Sequence, residues 1–132
     1  MYKIERNGSV VYQTFGDFVS EEEMTKWIAE SEKVLAETKG QKLHVFADLR
    51  TLKPLAPAAG ELMAKGQEMY RKAGLERSVV ILADAVTSMQ FQRIGKQSGI
   101  NSYERYIDAS SNPNFKDIGL DWLLHSKDPD KK

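Results

Sequence analysis

The chain has 132 residues, which is the size of a single domain. Hydrophobic residues make up 41% of the sequence, so a buried core is expected and disorder is confined to the polar end. The 19 Lys and Arg residues balance 19 Asp and Glu residues, so no nucleic-acid partner is expected. The absence of cysteine excludes disulfides, thiol catalysis and thiolate metal sites.

The N-terminal residues mix acidic and basic side chains, which is not typical of a signal peptide. No segment reaches the roughly 18 consecutive apolar residues that a membrane-spanning helix needs. A cytoplasmic location is therefore expected.

A hairpin is predicted at the start of the chain. Residues 2–5 and 10–15 alternate between apolar and polar side chains on either side of Asn7-Gly8. Asn-Gly readily supplies the positive φ angles of a tight turn, so the two strands are predicted to pair antiparallel.

The first helix is predicted to begin after Ser20. Ser20 and Glu23 have the spacing of a capping box, in which each side chain bonds to the backbone of the other residue. Trp27 and Ile28 follow on one apolar face, and Gly40 is expected to stop the helix.

Two strand–helix units come next. Residues 43–47 form a short apolar run that predicts a buried strand. A loop rich in Leu and Pro covers 49–57, and a second helix covers about 58–73. Residues 78–83 predict a central parallel strand, because β-branched side chains dominate this run.

The last third of the chain predicts a helix, a strand and a final helix. Thr87 and Gln90 repeat the capping-box spacing before a helix that extends to about Ser98. Residues 103–107 predict the fifth strand. Asn112-Pro113 is typical of an N-cap followed by a first-turn proline.

This order of elements, β-β-α-β-α-β-α-β-α, predicts an α/β fold. Alternating strands and helices favour a mixed, mostly parallel five-stranded sheet with right-handed crossovers and an antiparallel first strand at one edge. We expect one domain over residues 1–125 and a frayed polar tail over residues 126–132.

The element order and three local motifs resemble the STAS superfamily, the fold of the anti-sigma-factor antagonists, and more narrowly its SpoIIAA-like members. The motifs are Phe15-Gly16-Asp17-Phe18, Val45-Phe46-Ala47-Asp48-Leu49-Arg50 and Asp121-Trp122-Leu123-Leu124. The resemblance covers about residues 2–124. It implies that consecutive strands lie side by side, that the helices wind as a superhelix, and that the protein is a binding or regulatory protein, often dimeric, more than an enzyme.

One part of the family pattern is missing. Antagonists of the phospho-switch type carry a phosphorylatable serine between the third strand and the second helix, just after an aspartate. In this chain residues 52–60 contain no hydroxyl side chain, and Thr51 lies several residues too early. A phosphorylation switch in this loop is therefore not expected.

Each strand-to-helix junction carries an aspartate: Asp17, Asp48, Asp84 and Asp108. Ligands of open α/β sheets collect outside the carboxyl ends of the strands, and clustered carboxylates would suit Mg²⁺ in a metal-assisted hydrolase. The alternative is that each aspartate satisfies backbone amides at its own turn or helix start. We favour this alternative, because no phosphate-binding Gly-Lys motif is present, and we predict no metal and no cofactor.

The loop at 49–57 is unusually apolar for a surface connection. Its leucines either line a pocket for a small apolar or lipid-like molecule, or are buried in the core while the prolines stiffen the chain. The ligand-binding hypothesis assigns this pocket to Asp48, Arg50, Leu52, Leu55 and Met63. Arg50 is the cation in this set that could meet an anion.

Apolar residues near the start of the third helix suggest a contact surface. Met89, Phe91 and Ile94 cannot share one narrow stripe, because successive helical residues turn by about 100°. Either part of this area is exposed as an interface for a second copy or a membrane surface, or the helix has a wide core stripe. The interface hypothesis assigns all three residues to the contact.

No catalytic constellation is evident. The chain lacks a Gly-x-Ser-x-Gly elbow, and His44 within an apolar strand is more typical of a core histidine than of a metal ligand. The sequence therefore predicts a non-enzymatic STAS-like binding or regulatory domain, whose partner is a second copy, a regulatory protein or a small apolar ligand. A metal-assisted hydrolase and a peripheral, lipid-binding membrane protein are the alternatives.

Overall fold

Within residues 1–131, five strands form one sheet, and four helices cover it. The computed structural model describes residues 1–131, and Lys132 lies outside the described residues. The strands are β1 (Tyr2–Asn7), β2 (Val10–Phe15), β3 (His44–Asp48), β4 (Arg77–Leu82) and β5 (Glu104–Asp108). The helices are α1 (Glu21–Glu37), α2 (Pro57–Lys72), α3 (Ala85–Ser98) and α4 (Phe115–His125), with a short 3-10 helix at Ile100–Ser102.

The strands follow one another across the sheet in chain order, β1-β2-β3-β4-β5. β1 pairs with β2 antiparallel, and the other three pairs are parallel. Gly8 in the connecting turn has a φ of +62°, a conformation that glycine adopts without strain. The predicted α/β class and the mixed sheet with an antiparallel first strand are confirmed.

The two faces of the sheet carry different numbers of helices. Trp27 of α1, Met63 of α2 and Phe91 of α3 are buried in the larger core on one face. α4 alone packs on the other face, where Trp122 and Leu123 fill a smaller core. None of the helices within residues 1–131 combines the length and the apolar character that crossing a bilayer requires.

Two glycines allow close packing in these cores. A Cβ atom at Gly66 of α2 would overlap the ring of Trp27 on α1. A Cβ atom at Gly119 of α4 would lie 2.8 Å from a ring atom of Phe46 on β3. Both positions therefore need a residue without a side chain, because contacts this short do not occur in relaxed cores.

Helix starts show where local spacing predicts correctly and where it does not. The capping box of Ser20 and Glu23 is confirmed at the start of α1. The predicted capping box at Thr87 is wrong, because Asp84 caps α3 and accepts a bond from the Thr87 amide at 3.0 Å. Asn112 does not cap α4, because α4 begins at Phe115 after an intervening turn.

The C-terminal segment makes specific contacts with β5 and with α4. The guanidinium of Arg105 donates to both carboxylate oxygens of Asp128, at 2.9 and 3.0 Å. The Lys127 amide donates to the Asp121 carbonyl at 3.1 Å. A two-point ion pair therefore joins the segment around Asp128 to β5, and the expectation of a frayed tail over 126–132 stays a prediction. The same expectation for Lys132 lies outside the described residues.

Candidate functional site

A narrow cavity of about 30 Å³ lies between the sheet and the layer of α1, α2 and α3. Most of its wall is apolar. Five polar side chains from three strands and one helix also line it: Gln13, Gln67, Tyr70, Ser78 and Glu104. An interior space with mixed walls is a candidate binding site, because polar groups inside a core need partners.

A chain of hydrogen bonds joins three elements at this cavity. Gln13 Nε2 on β2 donates to Tyr70 Oη on α2 at 3.0 Å. Tyr70 Oη donates in turn to Ser31 Oγ on α1 at 2.9 Å. Burial raises the pKa of Tyr70, because a phenolate inside the core would lose its hydration. The phenol is therefore neutral and serves as both donor and acceptor.

Glu104 is a carboxyl group inside the core. It is 5% exposed, and it accepts hydrogen bonds from Ser78 Oγ at 2.6 Å and from Tyr106 Oη at 2.7 Å. Burial raises the pKa of Glu104, and the two hydrogen bonds oppose that shift. Burial also raises the pKa of Tyr106, and the neighbouring Glu104 adds to the shift. Such a perturbed acid beside a cavity is a candidate functional group.

Trp27 forms another part of the cavity wall, and its indole N–H lacks a partner. The residue is 1% exposed and packs edge-on against Phe15, with ring centroids 5.4 Å apart. No group in residues 1–131 accepts a hydrogen bond from its buried Nε1. Trp122, in contrast, donates from Nε1 to the Ser78 carbonyl at 2.9 Å. Buried donors normally have a hydrogen-bond acceptor, which, among the described residues, Trp122 has and Trp27 lacks.

His44 is buried at the amino end of β3. Its Nδ1 lies 3.3 Å from Ser9 Oγ, and its Nε2 lies 3.8 Å from a carboxylate oxygen of Glu76, beyond hydrogen-bond distance. Burial lowers the pKa of His44, because the imidazolium would lose hydration. This setting agrees with the interpretation of His44 as a core histidine.

An open groove of about 590 Å³ lies at the carboxyl ends of β4 and β5, beside the first turns of α3. Met89 lines the groove and is 71% exposed. Val86, one turn earlier on the same face of α3, is 61% exposed. Two large apolar side chains in water beside a concave surface mark a candidate contact surface.

The structure does not bring the five predicted ligand residues together. Asp48 and Arg50 form an ion pair at the surface, with Nη2 and Oδ2 2.9 Å apart. Leu52 and Leu55 are buried in the larger core, as the alternative interpretation of this loop had it. Met63 is also buried, and it alone of the five lines the interior cavity.

The loop at 49–57 is fastened to α3. Gln90 Oε1 accepts from the Leu55 amide at 2.8 Å, and Gln90 Nε2 donates to the Leu55 carbonyl at 2.7 Å. Leu52 N–H bonds within the loop to the Leu49 carbonyl at 3.1 Å. With its leucines buried and its backbone bonded on both sides, this loop forms part of the wall of the core.

The three predicted interface residues also separate. Phe91 is 2% exposed and Ile94 is 5% exposed, and both belong to the larger core. Met89 points outward. The buried residues of α3 form one stripe that includes Phe91 and Ile94 but not Met89, and the exposed apolar area of this helix consists of Met89 and Val86 on its other face.

The four junction aspartates lie at the same edge, and the side chains of Asp48, Asp84 and Asp108 each bond within their own turn or helix start. Asp84 caps α3, and Asp48 pairs with Arg50 two residues later. Asp108 accepts bonds from the amide and the hydroxyl of Ser110, which lower its pKa. Asp17 has a φ of 56°, and its backbone bonds across to residues 51 and 53. Within residues 1–131 no three His, Asp or Glu side chains are grouped so that they could hold a metal ion.

Comparison with known proteins adds no identity to these sites. No known family profile matches the chain, and no curated protein matches it. The function is accordingly inferred from the fold, the motifs and the two sites above.

Sequence reasoning missed the polar side of the cavity. Glu104 falls inside the predicted fifth strand, but nothing local marks it as buried. The available signal was an acid at the start of a strand, which lies opposite Ser78 once β4 and β5 are in register. That signal needs the strand pairing before it can be used.

Proposed function

We propose that the chain is a STAS-like domain of the SpoIIAA-like kind, which binds a regulatory protein partner and is not an enzyme. Two observations support the family part of this proposal. The strands follow each other across the sheet in chain order, as the resemblance implies. The three motifs that carry the resemblance lie at a strand-to-helix turn, at the end of β3 and on α4.

The exposed pair Val86 and Met89 carries the binding part of the proposal. On the same helix, Phe91 and Ile94 are buried, so α3 has a complete core face without these two residues. Exposing two large apolar side chains lowers solubility and contributes nothing to the core. Such an exposed pair beside a groove is typical of a surface that a partner covers.

The charges around the groove indicate which partner fits. Asp84 and Asp108 line the groove together with Ser88, Gln92 and Ser110. A partner that presents an apolar side chain surrounded by cations and hydrogen-bond donors would be complementary. A symmetric contact between two copies would place Asp84 and Asp108 of both copies close together, which like-charge repulsion disfavours.

Site-specific photo-crosslinking tests this function. A photoreactive phenylalanine analogue replaces Met89, and in the control variant it replaces Lys33, which is exposed on the outer face of α1. In cells that make the protein, we expect adducts to a different protein from position 89 and not from position 33. Adducts between two copies would indicate a homodimer instead. No adduct at position 89, or equal adducts at both positions, would contradict the proposal.

A lipid surface is the competing occupant of the same apolar pair. Co-sedimentation with vesicles of phosphatidylcholine and phosphatidylglycerol separates the two, with Met89→Asp beside the parent protein. We expect neither to pellet, because acidic groups flank the pair and repel anionic lipid. Pelleting of the parent that Met89→Asp abolishes would favour peripheral membrane binding.

A further inference from the structure

The interior cavity combines free space with a donor that has no partner. Its volume of about 30 Å³ exceeds the roughly 10–15 Å³ that one water molecule needs. Trp27 lines the cavity, is 1% exposed, and finds no acceptor for its buried Nε1 within residues 1–131. A buried N–H that has given up its bond to bulk water without a replacement destabilises the fold.

We propose that this cavity is a binding site for one or two ordered water molecules, one of which accepts a hydrogen bond from Trp27 Nε1. A water needs two to four polar partners, and the wall offers more than Trp27. Gln13, Gln67 and Glu104 line the same space from two strands and a helix. The bound water would link α1 to the polar groups of the sheet and of α2.

The chemistry of the wall excludes the other obvious occupants. An anion does not fit, because no cationic side chain lines the cavity, and a metal cation would find Glu104 as its single carboxyl ligand there. A larger apolar molecule exceeds the volume and would leave the indole N–H without a bond. An empty cavity is typical of purely apolar walls, and these walls are mixed. This site is internal and independent of the proposed contact surface at Met89.

The two tryptophans provide an internal comparison for the test. In ¹⁵N-labelled protein, a water-selective ROESY experiment reports which indole protons lie close to long-lived water. We expect a cross-peak between water and the indole proton of Trp27. We expect none for Trp122, whose Nε1 already donates to the Ser78 carbonyl. A crystal structure at high resolution should show density within hydrogen-bond distance of Trp27 Nε1.

A cavity-filling variant provides the second arm. Ala47 on β3 lines the cavity, so Ala47→Val should occupy the space and remove the Trp27 cross-peak. The control is Ala109→Val, which adds the same two methyl groups near the smaller core on the opposite face and should leave the cross-peak unchanged. Val80→Ile, also on the cavity wall, serves if Ala47→Val does not fold.

Two outcomes would overturn the proposal. One is a parent protein with neither a water cross-peak at Trp27 nor density beside Nε1. The other is a Trp27 cross-peak that persists in a folded cavity-filling variant, since the water would then lie elsewhere. Photo-crosslinking at Met89 is unaffected by either result, so the two proposals fail separately.

Discussion

Acidic side chains at the two ends of the sheet have opposite surroundings. Asp48, at the carboxyl end of β3, bonds to Arg50 two residues away and stays partly exposed. Glu104, at the amino end of β5, is buried and bonds to Ser78, which is 26 residues away on the neighbouring strand. Asp48 therefore depends on a local contact, while Glu104 depends on a contact that only the complete fold creates.

This difference separates the region that holds the fold together from the region that is free to change. The side chains of Asp48, Asp84 and Asp108 at the carboxyl edge bond to groups within three residues, so their replacement leaves the core intact. Side chains around the cavity connect strands and helices that are distant in sequence. The residues of a contact surface at the carboxyl edge can therefore change without altering the fold of the domain.

The largest contrast is expected between two apolar residues, one in each region. Leu55→Ala removes a buried side chain and should lower the free energy of unfolding by about 2–5 kcal/mol, because a cavity remains. Met89→Ala should change it by no more than about 0.5 kcal/mol, because the side chain is already in water. Urea unfolding followed by circular dichroism measures both. Equal losses in the two variants would show that Met89 is packed rather than exposed.

A smaller contrast is expected between two glutamines of α3. Gln90→Ala removes both side-chain bonds to the Leu55 backbone and should cost about 1–3 kcal/mol, because a partly buried amide and carbonyl lose their partners. Gln92→Ala removes only an exposed bond to Ser88 and should cost at most about 0.5 kcal/mol.

Hydrogen exchange localises the effect of the glutamine change. The Leu55 amide should exchange much faster in Gln90→Ala than in the parent protein, since its acceptor is gone. In Gln92→Ala that amide should keep its protection. A Leu55 amide that stays protected in Gln90→Ala would mean that another group holds this loop.

Glu104 should make the stability of the fold depend on pH. Because its pKa is raised in the folded state, its contribution is complete below the ordinary value of 4.5 and is lost as pH rises through the folded pKa. Glu104→Gln keeps a polar group for Ser78 and Tyr106 but cannot ionise. Relative to the parent, this variant should therefore gain stability as the pH rises above the ordinary pKa of 4.5.

The control for this pH dependence is Glu32→Gln, which changes an exposed glutamate on α1. Its stability difference from the parent should stay nearly constant over the same range. Urea unfolding at several pH values measures both variants. A difference for Glu104→Gln that does not grow with pH would show that Glu104 is ionised at little cost in the folded protein.

These contrasts also explain which features could be predicted from the sequence. Asn7-Gly8 and the pair Ser20 and Glu23 act within a few residues, so their spacing alone predicted a turn and a helix start. Gln90 has the same spacing relative to Thr87, yet its side chain bonds to Leu55, 35 residues away. The spacing of residues therefore cannot show whether the side-chain amide of Gln90 bonds to a nearby or to a distant backbone group.

The cavity was less predictable than the strands and helices, because it depends on strand register. Ser78 and Glu104 become neighbours only when β4 and β5 pair in parallel at that register. Of the five residues expected at a ligand site, Met63 alone lines the cavity. The apolar loop was recognised, but whether its leucines face a ligand or the core depends on α3, which follows about 30 residues later.

The smallest effect is expected from the ion pair at the carboxyl edge. Asp48→Asn weakens the bonds to Arg50 and should lower the free energy of unfolding by about 0.2–1 kcal/mol, since both groups are partly in water. The loss should shrink in about 0.5 M salt, because ions screen exposed charges. Asp84→Asn is the control and should be nearly neutral, since asparagine caps a helix about as well as aspartate. A loss above about 2 kcal/mol for Asp48→Asn would place Asp48 in a long-range network like that of Glu104, and the two ends of the sheet would then no longer differ in kind.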